Sequence, residues 1–377
     1  MANTLISPAI PDILDDLGIG AGKAGLLVAA ATLPGIFMAP VIGLLSDRYG
    51  RREVVVPCLA VFGLAGGLAA LAPSFEVLLG LRLVQGLGSA GLINLGVVII
   101  GDHWDGAERA KVIGQNSAVL TASLAVLPPL GGLLTDVGGW RATFMPYWLG
   151  LLTAVAVLVV LPRGTTQRDV RIAEQVRRAG GFLRSSSVLF SMGTGIVVFV
   201  LIFGLFLTAL PLHLEREFQL GATARGLVLG LPAITSTIAA LSLGRLVARV
   251  GARPLILGAM GLFAIAFAVI GLAPALPLLV AGSLLYGLGE GVTIPSLQDV
   301  VAGAAPASSR GSVVAVWVSG VRAGQTTGPL VAGALVAGIG APATFVAGSL
   351  LVVALLALLL ATGQPRQPEP AALAPTA

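Results

Sequence analysis

A chain of 377 residues that is 56% hydrophobic, only 10% charged and has a mean hydropathy of +0.98 carries too few charges to clothe a water-soluble globule of its size. It belongs in a bilayer. The net charge of +5 does not point to nucleic acid, because the basic residues fall in short clusters between apolar runs, and a single cysteine, Cys58, leaves no intramolecular disulfide and no cysteine-rich metal site.

Residues 1–11 hold two prolines and no basic stretch, so they do not read as a cleavable signal peptide; they look like the end of something. A membrane-spanning helix needs ~20 mostly apolar residues. Eleven stretches qualify or nearly qualify, over 24–45, 54–72, 75–100, 112–134, 144–161, 188–212, 226–246, 254–272, 276–296, 312–339 and 345–361. The gaps are mostly short and rich in Gly, Pro and charge, which makes neighbours antiparallel.

The first gap reads Gly43-Leu44-Leu45-Ser46-Asp47-Arg48-Tyr49-Gly50-Arg51-Arg52. Its glycines permit a sharp turn and a close approach, and its arginines sit where a membrane protein keeps cytoplasmic charge. The ten residues resemble the loop between the second and third helices of the major facilitator superfamily, Gly-x-x-x-Asp-Arg-x-Gly-Arg-Arg. That resemblance implies a cytoplasmic latch between two helix bundles, in which Asp47 accepts hydrogen bonds from the open N–H groups of a helix starting near Gly311. Arg51 or Arg52 would then meet Asp102. Charges that only set topology are the plainer alternative, which leaves Asp47 unexplained.

In the third span Arg82, Gln85 and Ser89 share one helical face. A charge at the bilayer centre costs ~2.5–3.5 kcal/mol, so an interior arginine asks for a reason. Leu81 to Gly88 resembles the fourth-helix motif of the superfamily's drug:proton antiporters, which implies that Arg82 faces a central cavity and takes part in proton coupling; packing against neighbouring carbonyls is the competing reading. Gly86-x-Gly88-x-x-Gly91 spells a dinucleotide fingerprint but lies mid-span with no strand before it, so close helix packing explains it better. Ser123 to Gly132 resembles the family's fifth-helix antiporter motif and keeps Pro128, Gly131 and Gly132, while Ser123 and Leu127 replace its first two glycines. His103 and His213, at span edges, read as interfacial, and Trp140 as an interfacial anchor.

The longest gap, Pro162 to Ser187, contains six arginines and separates five spans from six. It is the expected linker (163–187) between an N-terminal bundle (1–162) and a C-terminal one (188–362), with Val170, Ala173 and Val176 spaced for a short helix on the membrane surface, a solvated loop without fixed structure being the alternative. The tail, 363–377, has no apolar face to bury and is expected to be disordered. Sixteen lysines and arginines lie on the Gly43 side of the spans; Lys23, Arg141, Arg216 and Arg225 lie on the other, and Arg82 and Arg322 lie within spans. By the positive-inside rule the Gly43 loop, the linker and the C-terminus are cytoplasmic.

A shift of 201 positions lays the second half on the first. Gly43, Arg48, Gly50 and Arg52 fall on Gly244, Arg249, Gly251 and Arg253; Gly86 and Gly88 on Gly287 and Gly289; Arg109, Pro128 and Gly132 on Arg310, Pro329 and Gly333. This is a parallel internal repeat. It also predicts that 188–212 has a counterpart of which only the last turns are present here, so that twelve helices are the expected design and the first is truncated. Ala248 stands opposite Asp47, so the mirrored latch should be missing.

In the second half Ser283, Tyr286, Glu290 and Thr293 share one face, with Ser283, Tyr286 and Glu290 opposite Arg82, Gln85 and Ser89. Two such faces directed at one cavity make a midplane binding site. Glu290 is the proton-carrier candidate, unless a cation pairs with it. Arg322, with Ser319, Gln325 and Thr326 beside it, is the candidate cation; a structural Glu290–Arg322 bridge with no part in transport is the alternative. Gly328-Pro329 keeps the Gly-Pro pair of the fifth-helix motif, for packing or gating.

The resemblance implies an all-α polytopic membrane protein of the major facilitator fold, two pseudo-symmetric six-helix bundles around a cavity. The expected function is secondary active transport of a small molecule, as proton-coupled efflux or, alternatively, proton-coupled uptake of a metabolite. The expected partners are that substrate and the lipid bilayer, not nucleic acid; the working unit is a monomer, and the coupling ion is the proton with no cofactor or metal. A membrane enzyme lacks a catalytic cluster here, and a sensor or scaffold would need a longer soluble domain.

Overall fold

The computed structural model describes residues 3–162, 186–303 and 310–361. The expected linker helix and tail lie outside them. Among the described residues the regular structure is helical: α1 (Ile10–Asp16), α2 (Ala24–Tyr49), α3 (Arg51–Leu68), α4 (Phe75–Ser89), α5 (Leu92–His103), α6 (Gly106–Gly138) and α7 (Leu149–Val160) in the first half. The second half has α8 (Ser186–Val200), α9 (Leu210–Phe218), α10 (Ala222–Gly230), α11 (Pro232–Val250), α12 (Ala252–Leu272), α13 (Leu276–Gly303), α14 (Arg310–Ile339) and α15 (Ala341–Ala361). A 3₁₀ stretch, Trp140–Trp148, leads into α7, and a π-helical stretch, Leu201–Ala209, joins α8 to α9.

Nine helices of the described residues are long and apolar enough to cross a membrane. The other two predicted stretches are helical too, with reasons for their weaker signal. The 75–100 stretch is divided at Ala90–Gly91, where the glycine-rich run lowers helix propensity, and α14 carries Arg322, Gln325, Thr326 and Thr327 in its middle.

The backbone repeats with the period read from the sequence. Positive φ occurs at Gly18 and Gln219, Gly50 and Gly251, and Gly139 and Gly340, each pair 201 apart. At Gly50 (φ 102°) and Gly251 (φ 82°) the chain turns between two helices with no intervening loop. A side chain there would be strained, which is why glycine recurs at both. The largest apolar cluster runs through both halves, from Ile6, Ile10, Leu27 and Phe144 to Phe206, Phe263 and Phe345.

Close packing accounts for the glycines of the false fingerprint. Gly86 lies against Ala31 and Pro34 of α2, Gly88 against Cys58 and Phe62 of α3, and their counterparts Gly287 and Gly289 against Pro232 of α11 and Ala259 of α12. Small residues let backbones approach where lipid provides no hydrophobic drive.

Candidate functional site

The halves meet along two pseudo-symmetric seams. In one, α6 packs on α10; in the other, α14 packs on α2. The Pro128 carbonyl sits on Gly226 and the Pro329 carbonyl on Gly25; Gly132 touches Ala222, and Gly333 touches Gly22 and Gly25. Gly25 and Gly226 are themselves 201 apart. Of the residues predicted for packing or gating, Pro128, Gly132 and Pro329 thus lie on the seams, whereas Gly328 packs on Val200 inside the second half and Gly131 on the Leu5 carbonyl inside the first.

Both seams are tight at the end of the molecule that bears Asp16, Lys23 and Arg141. Toward the Gly43 end they part: α6 packs along α10 but barely touches α11. Gly43, Gly114 and Gly244 have no neighbour within 4 Å of where a side chain would begin, and Leu241 is 82% exposed. Among the described residues the close approach expected at Gly43 is therefore not made in this arrangement.

The closed end holds polar contacts that sequence reasoning missed. Both carboxylate oxygens of Asp136, on α6, accept hydrogen bonds from the first N–H groups of α10, at 3.1 Å from Ala222 and 2.9 Å from Thr223. A carboxylate there satisfies open donors and meets the positive end of the helix dipole. One turn on, Arg225 is 3% exposed and pairs with Asp12 of α1. Ser7 adds a 2.6 Å bond to the Leu207 carbonyl in the π-helical stretch. Asp136 and Arg225 could have been suspected as charges at span edges, but their pairing depends on residues 86 and 213 positions away. Replacing Asp136 with alanine should cost about 0.5–2 kcal/mol of cap energy and so open this end roughly 2- to 30-fold more often. Spin labels at Val137 and Glu217 would report the shift as a longer inter-label distance.

Trp140 is not a lipid-facing anchor: it is 4% exposed and its indole N–H donates to Asp16 at 2.8 Å. Arg141 lies over its ring and donates to the same carboxylate at 2.8 Å. The Trp140 and Arg141 bonds hold the Asp16 carboxyl below its usual range. Nor is His213 exposed. It is buried between Phe218 and Phe345, with Nε2 3.2 Å from the Ile270 carbonyl, because the second half is covered there by α15. His103 is exposed, as expected for an edge.

At the Gly43 end Arg51, rather than Arg52, meets Asp102, with Nε donating at 2.9 Å; it also donates to Ser46 at 2.8 Å and pairs with Asp47. These side chains are partly exposed, so each pair is worth ~0–1 kcal/mol. The network ties α2, α3 and α5 within one half. Arg48 lies over the Tyr49 ring, and Arg52 makes no ion pair among the described residues. Asp47 was expected to meet the start of α14, near Gly311; its described partner is Arg51, within the first half.

The predicted midplane residues divide in two. Arg82 and Gln85 are wholly buried within the first half. Arg82 donates to the Leu27 carbonyl (3.3 Å), to Gln85 (2.6 Å), to Asn3 and to Tyr147, so its charge is met by four neighbours and none of it reaches an opening. Ser283, Tyr286 and Thr293 are likewise buried within the second half, Tyr286 stacked on Phe206 with centroids 4.2 Å apart. The two polar faces thus do not present all their members to one cavity: helix packing turns most of each face into its own bundle. Ser89, Glu290, Arg322 and Gln325 are partly exposed.

Arg322 does not pair with Glu290. Among the described residues no cation lies within 4.0 Å of Glu290 and no carboxylate within 4.0 Å of Arg322. Arg322 instead crosses the seam. Its Nη2 donates 3.1 Å to the carbonyl of Ala90, at the break between α4 and α5, and its Nη1 fills the space left by Gly35 of α2. Beside it Thr326 bonds Thr32 across the same seam at 3.1 Å.

Comparison with known proteins bears on this architecture directly. The family model described as Major Facilitator Superfamily matches residues 1–208 and again 192–376. The chain belongs to the Major Facilitator Superfamily. That one model fits each half in turn agrees with the 201-residue repeat. Among curated relatives, the bacillibactin exporter of Bacillus subtilis (strain 168) is 24% identical over 353 residues, 89% of this chain and 86% of that one. The quinolone resistance protein NorA of Staphylococcus aureus is 30% identical over 158 residues, 42% of this chain and 40% of that one. Among solved structures, a bacterial homologue of the human lysosomal transporter Spinster, in an inward-facing and occupied conformation, superposes with a TM-score of 0.78 at 17% identity, covering 98% of this chain and 96% of that one. The nucleoside transporter NupG superposes with a TM-score of 0.76 at 13% identity, covering 96% of each. The superfamily fold expected from the sequence is therefore the fold observed, and the chain is a multi-pass membrane transporter.

Proposed function

We propose that this superfamily member exports a small molecule across the cytoplasmic membrane in exchange for protons, by alternating access. The direction of transport is taken from the bacillibactin exporter, which matches across most of both chains, and from NorA, whose name records quinolone resistance. The observation that carries proton exchange is Glu290, a half-buried carboxylate mid-helix with no described cation beside it. Such a group is free to take up and release a proton as the site changes sides.

The seams supply the alternation. With the Gly43 loop, the linker and the C-terminus in the cytoplasm, as the excess of Lys and Arg on that side favours, the present arrangement is inward-facing. It is closed outside by Asp136 on α10, by Asp12 with Arg225, and by the two proline–glycine contacts. Opening outward breaks these and brings the Gly43 ends together, where Asp47 latches the second bundle. Because Arg82 is enclosed in the first bundle, its part is to hold α2, α4, the segment at Asn3 and the Trp140–Trp148 stretch as one moving body.

Proteoliposomes loaded with a fluorescent dye panel (ethidium, carboxyfluorescein) test this reading. A proton gradient, acid on the face opposite the Gly43 loop, should drive accumulation of at least one dye toward that face. The opposite gradient should not, and a protonophore should abolish the difference. Flux indifferent to both overturns proton exchange.

A further inference from the structure

We infer that the guanidinium of Arg322 is an anion-recognition site, and that the molecule it selects carries a carboxylate or comparable organic acid. This rests on the reading of the chain as a small-molecule transporter and deepens it by naming the class of cargo.

The buried arginines differ in how they are satisfied. Arg82 has four neighbours and no exposure. Arg225 has the Asp12 carboxylate, and Arg253, near a helix end, donates to the Leu359 carbonyl at 3.0 Å. Arg322 stands in the middle of α14 with one hydrogen bond, to a neutral carbonyl. Its Nε is buried without a hydrogen-bond partner, as are Arg225 Nε and Arg253 Nη1, but Arg322 alone of these stands mid-helix with its charge offset by no described carboxylate. An arginine at that depth is costly to keep, and one bond to Ala90 leaves most of its five donors unused.

Its position fits recognition. Of the described hydrogen bonds between the two halves, that of Arg322 is the one nearest the Gly43 end, so it lies where the halves part and is partly exposed there. Gly35 is what admits it: a side chain at that position would collide with the guanidinium. Thr32, Thr326 and the partly exposed Gln325 and Ser89 line the same level of the seam. A planar acid can take two parallel N–H donors of a guanidinium at once, which the Ala90 carbonyl cannot. An acid arriving from the open end would therefore use Nε and release or share the Ala90 bond. Since Arg322 belongs to one bundle and Ala90 to the other, occupancy bears on the contact between them.

The test uses the purified full chain in detergent and three probes of one shape: 2-naphthoate, 2-naphthylmethanol and 2-naphthylmethylamine. Binding is followed by thermal unfolding and by titration of tryptophan fluorescence. The expected result is that naphthoate binds most tightly of the three, about tenfold weaker in Arg322→Gln, as loss of one charge-assisted bond predicts, and intermediate in Arg322→Lys. The alcohol should bind wild type and R322Q alike, which separates lost recognition from a general change in the seam. If naphthoate fails to bind, binds R322Q as well as wild type, or loses to the amine, the inference is overturned. Failure of gradient-driven dye flux with naphthoate binding intact would instead sink the proton-exchange reading and leave this one standing.

Discussion

Replacing Gly25 or Gly226 with alanine should hold the two halves apart at the Asp136 end and depress transport severely. At both positions a single methyl group would overlap a backbone carbonyl of the opposite helix, that of Pro329 or Pro128, and backbone at a proline cannot give way as a flexible side chain can. Overpacking of this kind costs ~1–3 kcal/mol, and here it falls only on the arrangement in which the seams are tight. Each substitution should therefore shift the balance toward the separated arrangement by roughly 5- to 150-fold. The double variant should shift it by less than the product, because a rigid bundle already displaced at one seam no longer presses fully on the other. Gly43→Ala is the contrasting variant: no described residue lies within 4 Å of it here, so it should not loosen the tight seams, and any effect should fall on the opposite arrangement. Distances between spin labels at Val137 and Glu217 measure the shift, and flux into proteoliposomes measures its consequence. Unchanged distances in G226A would mean that the seam is not the moving contact.

Much of this architecture could be read from residues before any coordinates. The repeat was legible because turns constrain the backbone locally: Gly50 and Gly251 need the same φ, and glycine is the residue that adopts it freely. Packing glycines were legible for a related reason, since Gly86, Gly88 and their counterparts serve helices only one or two elements earlier in the chain. What the sequence did not yield is which way each polar face turns. Arg82, Gln85 and Ser89 do share a face, yet the first two are enclosed and only Ser89 is partly exposed, because the tilt and rotation of α4 are set by its neighbours rather than by its own periodicity. Glu290 and Arg322 are both mid-helix, but depth fixes one coordinate of three, and Arg322 points across the seam to Ala90. The Asp136 cap was out of reach for the same reason, being a contact between distant segments.

Glu290→Gln should separate coupling from movement. Glutamine keeps the size and much of the hydrogen bonding of the side chain but cannot exchange a proton, so the seams, the Asp136 cap and the Arg322 bond are untouched. If protonation of Glu290 is what licenses the return of the empty transporter, uphill flux driven by a proton gradient should fall by about 100-fold or more, the scale on which removing an essential proton-transfer group acts. Downhill exchange of dye between the two faces should remain within a few-fold of wild type, because exchange needs the loaded transporter to change sides but needs no proton to complete the cycle. The partner variant Tyr286→Phe removes a hydroxyl one turn away while retaining the ring stacked on Phe206, and should keep driven flux. A purely structural role for Glu290 predicts a different pattern, in which driven flux and exchange fall together with the thermal midpoint. Undiminished driven flux in E290Q would move the proton to another group, and the next candidates would then be Asp12 and Asp136 at the outer end, whose carboxylates bind Arg225 and α10 in this arrangement and would be released if it opened.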